Sequence, residues 1–349
     1  MKRIGERVEL NKSEGILKSS HENSEMKVTI WGARGSFPSP LVPGVVQERI
    51  RSNIKRFVQQ AHGDLKNETD FFSKLARHHS GGYGGNTPCL EVSAGSNSVI
   101  IDGGSGIRPL GYELLKGPCG QGQGEVHIIF THFHWDHIIG LLFFTPIFIP
   151  GNRIHVYAVQ PELEQVFRML FQKPFFPVPL EKLGSRIEYH RLEPRVPFEL
   201  GGMQITPYQL DHPDPCWGFK FEKNGRAFSH CVDTECTRFT PAELGPDLPL
   251  YRGLDLMIFD AQYTLVETIE KVDWGHATAS LGIDMAMREG TKRVVFMHHD
   301  PASSDEKIAA AESQAQRYYQ HQLARADLAE GKVSEVQWAF GYDGMVLEV

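Results

Sequence analysis

Apolar residues recur along the chain in short runs and alternations that predict β-strands. Glycine, proline and aspartate separate these runs, which occupy residues 28–31, 89–93, 98–101, 126–130, 154–159, 203–210, 218–222, 256–259 and 294–297. Apolar positions with helical spacing lie between the strands, at residues 161–171, 277–287 and 305–329. Interleaved strands and helices predict an α/β layered domain, with the sheet inside and the helices outside.

The same pattern predicts a tail, a domain and an insertion. Residues 1–25 are polar and charged, which predicts a tail in front of a single domain over residues 26–349. Within that domain, apolar positions with helical spacing predict a helical insertion at about 45–79. Three roles are open for this insertion, which can cap a site, form a subunit contact or be a solvated decoration.

Composition and charge exclude several classes of protein. Of the 349 residues, 41% are hydrophobic, which allows a sizeable core, and the net charge of −7 disfavours bulk nucleic acid as a partner. The five cysteines are an odd number without a CxxC pair, unlike a disulfide framework or a cysteine-based zinc site. The first twenty residues lack an apolar signal core, and the most apolar stretch, 138–150, is too short to span a membrane. These features predict a soluble cytoplasmic protein.

The main candidate for chemistry is a group of four metal-binding residue types directly after the predicted strand 126–130. His132 and His134 alternate, so on an extended backbone both imidazoles point to the same side and can bind one ion. A turn after them lets Asp136 and His137 face a second ion. The sequence therefore predicts two adjacent metal sites.

These four residues match the HxHxDH signature of the metallo-β-lactamase superfamily, which the chain resembles over about 27–299. The resemblance implies a metallo-β-lactamase αββα sandwich, in which two mixed β-sheets are flanked by helices. It also implies that His212 completes the first metal site, that Asp233 bridges both ions and that His298 completes the second. His298 directly follows an apolar run and is preferred to His299, which is then a second-shell or structural residue. The sequence leaves the choice between these two histidines open.

Two further segments resemble the phosphodiesterase branch of the superfamily, which contains RNase Z-like and cyclic-nucleotide phosphodiesterase-like enzymes. The segment WGHAT at 274–278 resembles a GHST-type motif, which implies that His276 is the general acid for the leaving oxygen. Its alternative role is that of a loop histidine that caps a helix. The glycine turn IDGG at 101–104 matches the first motif of the superfamily, which implies that Asp102 orients the metal-binding loop from the second shell.

Together these residues predict a dinuclear metal-dependent phosphodiesterase. The two divalent ions are expected to be zinc, and manganese or iron is also compatible with histidine and carboxylate ligands. Metal-bound hydroxide would attack a small phosphodiester, in the first place a cyclic nucleotide, with Asp136 and His276 as catalytic residues. The alternatives are a thioester- or lactone-type carbonyl hydrolase of the same fold, a tRNA 3′-end endoribonuclease, and a metal-binding module without catalysis. The nucleobase, the native metal and the oligomeric state stay open, a homodimer being one option.

Overall fold

The computed structural model describes residues 16–17, 26–61, 64–328 and 335–349, and these residues form two β-sheets. The strands of the first sheet are, in spatial order, β1 (Ile16–Leu17), β15 (Val346–Glu348), β2 (Lys27–Gly32), β3 (Cys89–Ala94), β4 (Asn97–Ile101), β5 (Glu125–Ile129), β6 (Arg153–Ala158) and β7 (Arg186–Arg191). Those of the second sheet are β14 (Gln337–Phe340), β13 (Arg293–Met297), β12 (Leu256–Asp260), β11 (Arg226–Cys231), β10 (Trp217–Lys223), β9 (Met203–Gln209) and β8 (Phe198–Leu200). Both sheets contain parallel and antiparallel pairs and are therefore mixed.

Helices cover the outer faces of the two sheets. The α-helices are α1 (Pro43–Ala61), α2 (Glu68–Lys74), α3 (Ile107–Leu114), α4 (Trp135–Ile138), α5 (Leu163–Leu170), α6 (Pro241–Leu244), α7 (Leu265–Glu270), α8 (Ala279–Glu289) and α9 (Asp305–Leu328). Ile30 of the first sheet and Phe219 of the second belong to one buried apolar cluster, which fills the space between the sheets. Phe167 of α5 and Ile283 of α8 belong to two separate clusters, one on each outer face. The predicted αββα sandwich is thus confirmed.

Parallel pairing brings the carboxyl ends of the central strands to one edge of the sandwich. β4, β5 and β6 are parallel in the first sheet, and β11, β12 and β13 are parallel in the second. In sheets of this kind, ligand sites lie beyond the carboxyl ends of the strands. The residues that end these strands or follow them within three positions include Asp102, His132, Asp233, Asp260 and His298.

The predicted insertion contains α1 and α2. The two helices contact each other through Phe57 and Phe71, whose ring centroids lie 5.2 Å apart with an angle of 67° between the ring planes. Arg49 anchors α1 to the rest of the chain, because its Nη2 lies 2.7 Å from Oδ2 of the buried Asp305. The division of the chain into one domain with an insertion stays a prediction.

Most of the predicted tail, residues 1–15 and 18–25, lies outside the described residues. Within it the structure describes Ile16–Leu17, which pair with β15 in the first sheet. In the described parts of the chain, every helix is too short or too polar to cross a membrane.

Candidate metal centre

The loop that carries the signature residues is held by Asp102, which is completely buried directly after β4. Its Oδ1 accepts a hydrogen bond from the backbone N–H of Thr131 at 2.8 Å, and its Oδ2 accepts one from the Thr131 hydroxyl at 2.9 Å. Oδ2 also lies 2.8 Å from His137 Nδ1. Asp102 therefore contacts both ends of the loop and one of its imidazoles.

His132, His134 and His212 form the first group of side chains that can hold an ion. His134 Nδ1 and His212 Nε2 lie 3.3 Å apart, and the ring centroids of His132 and His212 lie 4.9 Å apart. The outer nitrogens of two of these rings are engaged elsewhere: His212 Nδ1 donates to the Gly275 carbonyl at 3.1 Å, and His134 Nε2 lies 2.8 Å from Asp214 Oδ2. Contacts of this kind fix the tautomer and leave the facing nitrogen free to bind a metal.

Asp136, His137 and His298 form a second group, and Asp233 stands between the two. Asp136 Oδ2 lies 3.4 Å from His137 Nε2 and 3.2 Å from His298 Nε2. Asp233 Oδ2 lies 3.0 Å from His137 Nε2 and 3.4 Å from His298 Nε2, and Asp233 also groups with His132. The seven residues of the two groups and Asp233 are called the loop cluster below. Five of them lie on loops or at the ends of strands, and Asp136 and His137 lie in the single-turn helix α4.

Four buried ligand-type atoms of the loop cluster have no hydrogen-bond partner among the described residues, namely His132 Nε2, His137 Nε2, Asp233 Oδ2 and His298 Nδ1. Each of these residues is at most 2% exposed, and buried polar atoms ordinarily have partners. Burial holds the pKa of His132 well below its usual range, so this imidazole is neutral, as a metal ligand must be. Imidazoles and carboxylates in this arrangement fit divalent transition-metal ions.

Electrostatics at the loop cluster favours positive charge. Burial opposes the ionisation of Asp233, but His298 and His137 hold the pKa of Asp233 well below its usual range. Burial also opposes the protonation of His137, but Asp233, Asp136 and Asp102 raise the pKa of His137 well above its usual value. The buried carboxylates therefore attract a cation to this position.

The two adjacent histidines after β13 point in different directions. His298 faces the loop cluster, with a positive φ of 68°, and its ring stacks on His276 with centroids 4.9 Å apart. His299 Nε2 instead donates to the Gly341 carbonyl at 2.8 Å, and its ring stacks on Phe340. The structure brings His298 and not His299 into the cluster.

His276, the predicted general acid, is paired with an aspartate that the sequence reasoning missed. His276 Nδ1 lies 3.0 Å from Oδ2 of Asp260, which is completely buried at the end of β12. Asp260 also accepts hydrogen bonds from the backbone N–H groups of Asp233 at 3.2 Å and of Ala277 at 3.0 Å. It thus links the loop cluster to His276. The sequence signal that could have revealed Asp260 is a polar residue at the end of an apolar strand run.

A cavity of about 360 Å³ opens onto the loop cluster and His276. Its aromatic wall comes from two residues inside the signature itself: Phe133 is partly buried, and Trp135 is 59% exposed. Ser36 also lines it and donates its backbone N–H to Asp136 Oδ2 at 2.7 Å. Sequence reasoning assigned no role to Phe133, Trp135 or Ser36.

Comparisons with known proteins agree with this geometry. A family model described as a beta-lactamase superfamily domain matches residues 97–299. A ribonuclease Z from Bacteroides thetaiotaomicron is 23% identical over 243 residues, which cover 54% of this chain and 73% of the relative. The metallo-beta-lactamase fold protein YhfI from Bacillus subtilis matches with a TM-score of 0.56 at 15% identity, over 92% of this chain and 98% of its own. Unliganded yeast PDE1 matches with a TM-score of 0.57 at 13% identity, over 94% of this chain and 100% of its own.

The matched family segment spans more than half of the chain, and the chain therefore belongs to the beta-lactamase superfamily. It is a metal-dependent hydrolase of the RNase Z-like branch of that superfamily. The family, the fold and the enzyme class predicted from the sequence are thus confirmed. The two solved structures share too little sequence with this chain to show more than the fold.

Proposed function

We propose that the chain is a dinuclear metal-dependent phosphodiesterase that hydrolyses a small phosphodiester, in the first place a cyclic nucleotide. The observation that carries this proposal is a single cavity lined both by members of the loop cluster and by His276, which is paired with Asp260. The residues proposed to hold two divalent ions are His132, His134, Asp136, His137, His212, Asp233 and His298.

Zinc is the first candidate for both ions, and manganese or iron is compatible with the same donor set. Two bound ions of this kind bring the pKa of water near neutrality and neutralise the non-bridging oxygens of a phosphodiester. The protein contributes positioning, because Asp102, Asp214 and the Gly275 carbonyl each engage the outer nitrogen of a proposed ligand. Outer contacts of this kind commonly tune metal affinity.

His276 is the proposed general acid. Hydrolysis breaks a bond between phosphorus and oxygen, and the departing alkoxide gains from protonation. Because Asp260 engages Nδ1, the Nε2 position of His276 is available to hold the proton that is transferred. Burial lowers the pKa of His276, but Asp260 and Asp233 raise it overall, which supports the protonated form near neutral pH.

The cavity wall supports a nucleotide-sized substrate. Bases stack on aromatic side chains at a gain of about 1–3 kcal/mol each, and Phe133 and Trp135 offer such surfaces beside the loop cluster. In the described part of the chain, the residues that line the cavity include neither lysine nor arginine. A long RNA needs many cationic contacts with its phosphates, whereas a cyclic nucleotide carries one phosphate, which the metal ions can neutralise.

Cleavage of RNA is the second candidate, because the matched relative is named ribonuclease Z. The net charge of −7 weighs against it, since no general attraction for the nucleic acid backbone is expected. The two candidates share the same bond chemistry and differ only in the size of the substrate.

The test is hydrolysis of a panel of 3′,5′- and 2′,3′-cyclic mononucleotides, a chromogenic phosphodiester and a tRNA precursor, with zinc or manganese added. Turnover of a cyclic nucleotide that is lost in His132→Ala is the expected result. Turnover of the tRNA precursor alone would replace the first candidate with the second.

A carbonyl hydrolase of the same fold is distinguished by His276→Ala. If this variant keeps its metals and loses phosphodiester turnover, while thioester and lactone substrates stay inert in both proteins, the phosphodiesterase proposal holds. Turnover of a thioester or lactone that does not depend on His276 would contradict it.

A further inference from the structure

A second group of metal-binding side chains lies on one face of the first sheet, within the strands and not at their ends. The parallel register pairs His127 of β5 with His155 of β6, and His155 with Glu188 of β7. His190 follows Glu188 by two residues and therefore points to the same face. Three histidines and a glutamate thus meet across three neighbouring strands.

The spacing of three of these side chains matches a metal site. His155 Nδ1 lies 3.1 Å from His190 Nε2 and 3.5 Å from Glu188 Oε2. In a tetrahedral zinc site with metal–ligand bonds of about 2.0–2.1 Å, neighbouring ligand atoms are about 3.3 Å apart. The two distances in the sheet, 3.1 and 3.5 Å, lie on either side of this value.

The environment of His155 also fits a ligand. His155 is 8% exposed, and its ring is stacked between those of His127 and His190, with centroids at 4.9 and 5.3 Å. Its Nε2 lies 3.0 Å from Glu125 Oε1, and a carboxylate behind the ring is the usual partner of a metal-binding histidine. Glu125 therefore lies behind the ring, and Nδ1 is the nitrogen that faces His190 and Glu188.

Neutral imidazoles are needed for metal binding, and the surroundings favour them. Burial and the neighbouring His155 lower the pKa of His190 below its usual value, and the same two causes lower the pKa of His127. The only carboxylate in the three-residue group is Glu188, whose side chain is 27% exposed and can be reached from solvent.

We propose that His155, Glu188 and His190, called the sheet cluster below, form an additional divalent-metal site for zinc or a transition-metal ion with similar ligand preference. Two imidazoles and one carboxylate favour such ions over magnesium or calcium, which prefer oxygen ligands. β7 is the edge strand of the first sheet, so the ion would cross-link this edge to β6. The role of the site is structural and does not depend on the proposed reaction.

The test is equilibrium dialysis of the full chain against zinc, with metal content measured for the wild type, Glu188→Gln and His190→Ala. Each variant is expected to bind one ion fewer per chain than the wild type, and zinc is expected to raise its melting temperature less. Glu222→Gln is the matched control, because Glu222 is a strand glutamate of the second sheet, and it is expected to bind as many ions as the wild type.

Glu188→Gln preserves the shape of the side chain, so loss of the fold cannot imitate loss of the ion in this variant. Equal metal content in the wild type and both variants at saturating zinc would overturn the proposal. The difference between proteins is the readout, so the result does not depend on how many ions the loop cluster holds or on whether phosphodiesters are hydrolysed.

Discussion

The loop cluster and the sheet cluster present similar side chains on different kinds of backbone. In and beside the loop cluster, Asp102, Asp233 and His298 all have positive φ, at 63°, 64° and 68°. In the sheet cluster, His155 and Glu188 are register partners in regular parallel strands. Non-glycine residues adopt positive φ only where surrounding contacts impose it, and such residues concentrate at functional sites. Positive φ therefore distinguishes the backbone of the loop cluster, whereas regular strand register alone brings the residues of the sheet cluster together.

The two clusters also differ in burial. At the centre of the loop cluster, His132, His137 and Asp233 are at most 2% exposed, although the side chain of His134 at its rim is 42% exposed. In the sheet cluster only His155 is buried, and Glu188 and His190 are partly exposed at the sheet surface. Exclusion of water strengthens electrostatic interactions, which a reaction can use and a structural ion does not need. We therefore expect changes in the loop cluster to alter activity and changes in the sheet cluster to alter only metal content and stability.

The largest effect is expected for His132→Ala. The loss of a ligand from the first group should reduce kcat on a chromogenic phosphodiester by roughly 10⁴-fold or more, because the metal ions supply several kcal/mol of charge stabilisation. His190→Ala is the matched control and should stay within about twofold of the wild type, since mutations distant from the reacting groups have small effects on ΔG‡. A large loss of activity in both variants would contradict the expectation that only the loop cluster affects activity.

A smaller loss is expected for His276→Ala, which removes the proposed acid and leaves the loop cluster in place. Kcat should fall by about 10²–10⁴-fold with unchanged metal content, as is typical of general acid catalysis. A fall in metal content in parallel with kcat would instead mean that His276 supports the metal site.

Asp260→Asn tests the proposed role of His276 as the acid through the pH dependence of kcat. The raised pKa of His276 keeps its proton to higher pH, so activity should decline only as the pH rises through that raised value. Without the Asp260 charge, the alkaline limb of the kcat profile should move to lower pH. An unmoved limb would show that another group controls it.

Asp102→Asn should weaken metal binding without removing any ligand. Zinc affinity, measured by competition with a chelator, should fall about 10–100-fold, because Asp102 orients His137 and the signature loop. Asp255→Asn is a control in a buried aspartate directly before β12, whose ion pairs are with Arg226 and Lys292 and not with the loop cluster. Equal effects of the two changes would indicate a general loss of stability.

The smallest effect on activity is expected for Glu188→Gln. Phosphodiester turnover should stay within about twofold of the wild type, because Glu188 contacts neither the loop cluster nor its cavity. A marked loss of turnover in this variant, with the loop cluster still holding its ions, would mean that the two clusters are coupled.

Sequence patterns predicted the buried strands closely and the polar edges poorly. The apolar run at 256–259 corresponds to Leu256–Asp260, which is buried throughout. β7, with the sequence RIEYHR, was not predicted, because an edge strand that is only partly buried carries charged residues in place of an apolar pattern. α3 was also missed, since it follows directly on the glycine turn that holds Asp102 and is only eight residues long.

The sequence by itself determined the family, the sandwich fold and the HxHxDH group. His132, His134, Asp136 and His137 lie within six residues, so chain connectivity alone keeps them close. Tertiary structure decided how Asp260 meets His276 and how His155 meets Glu188 and His190. Each of these contacts joins residues from different strands or loops, and the distances depend on strand register and burial, which are non-local properties that no short motif records.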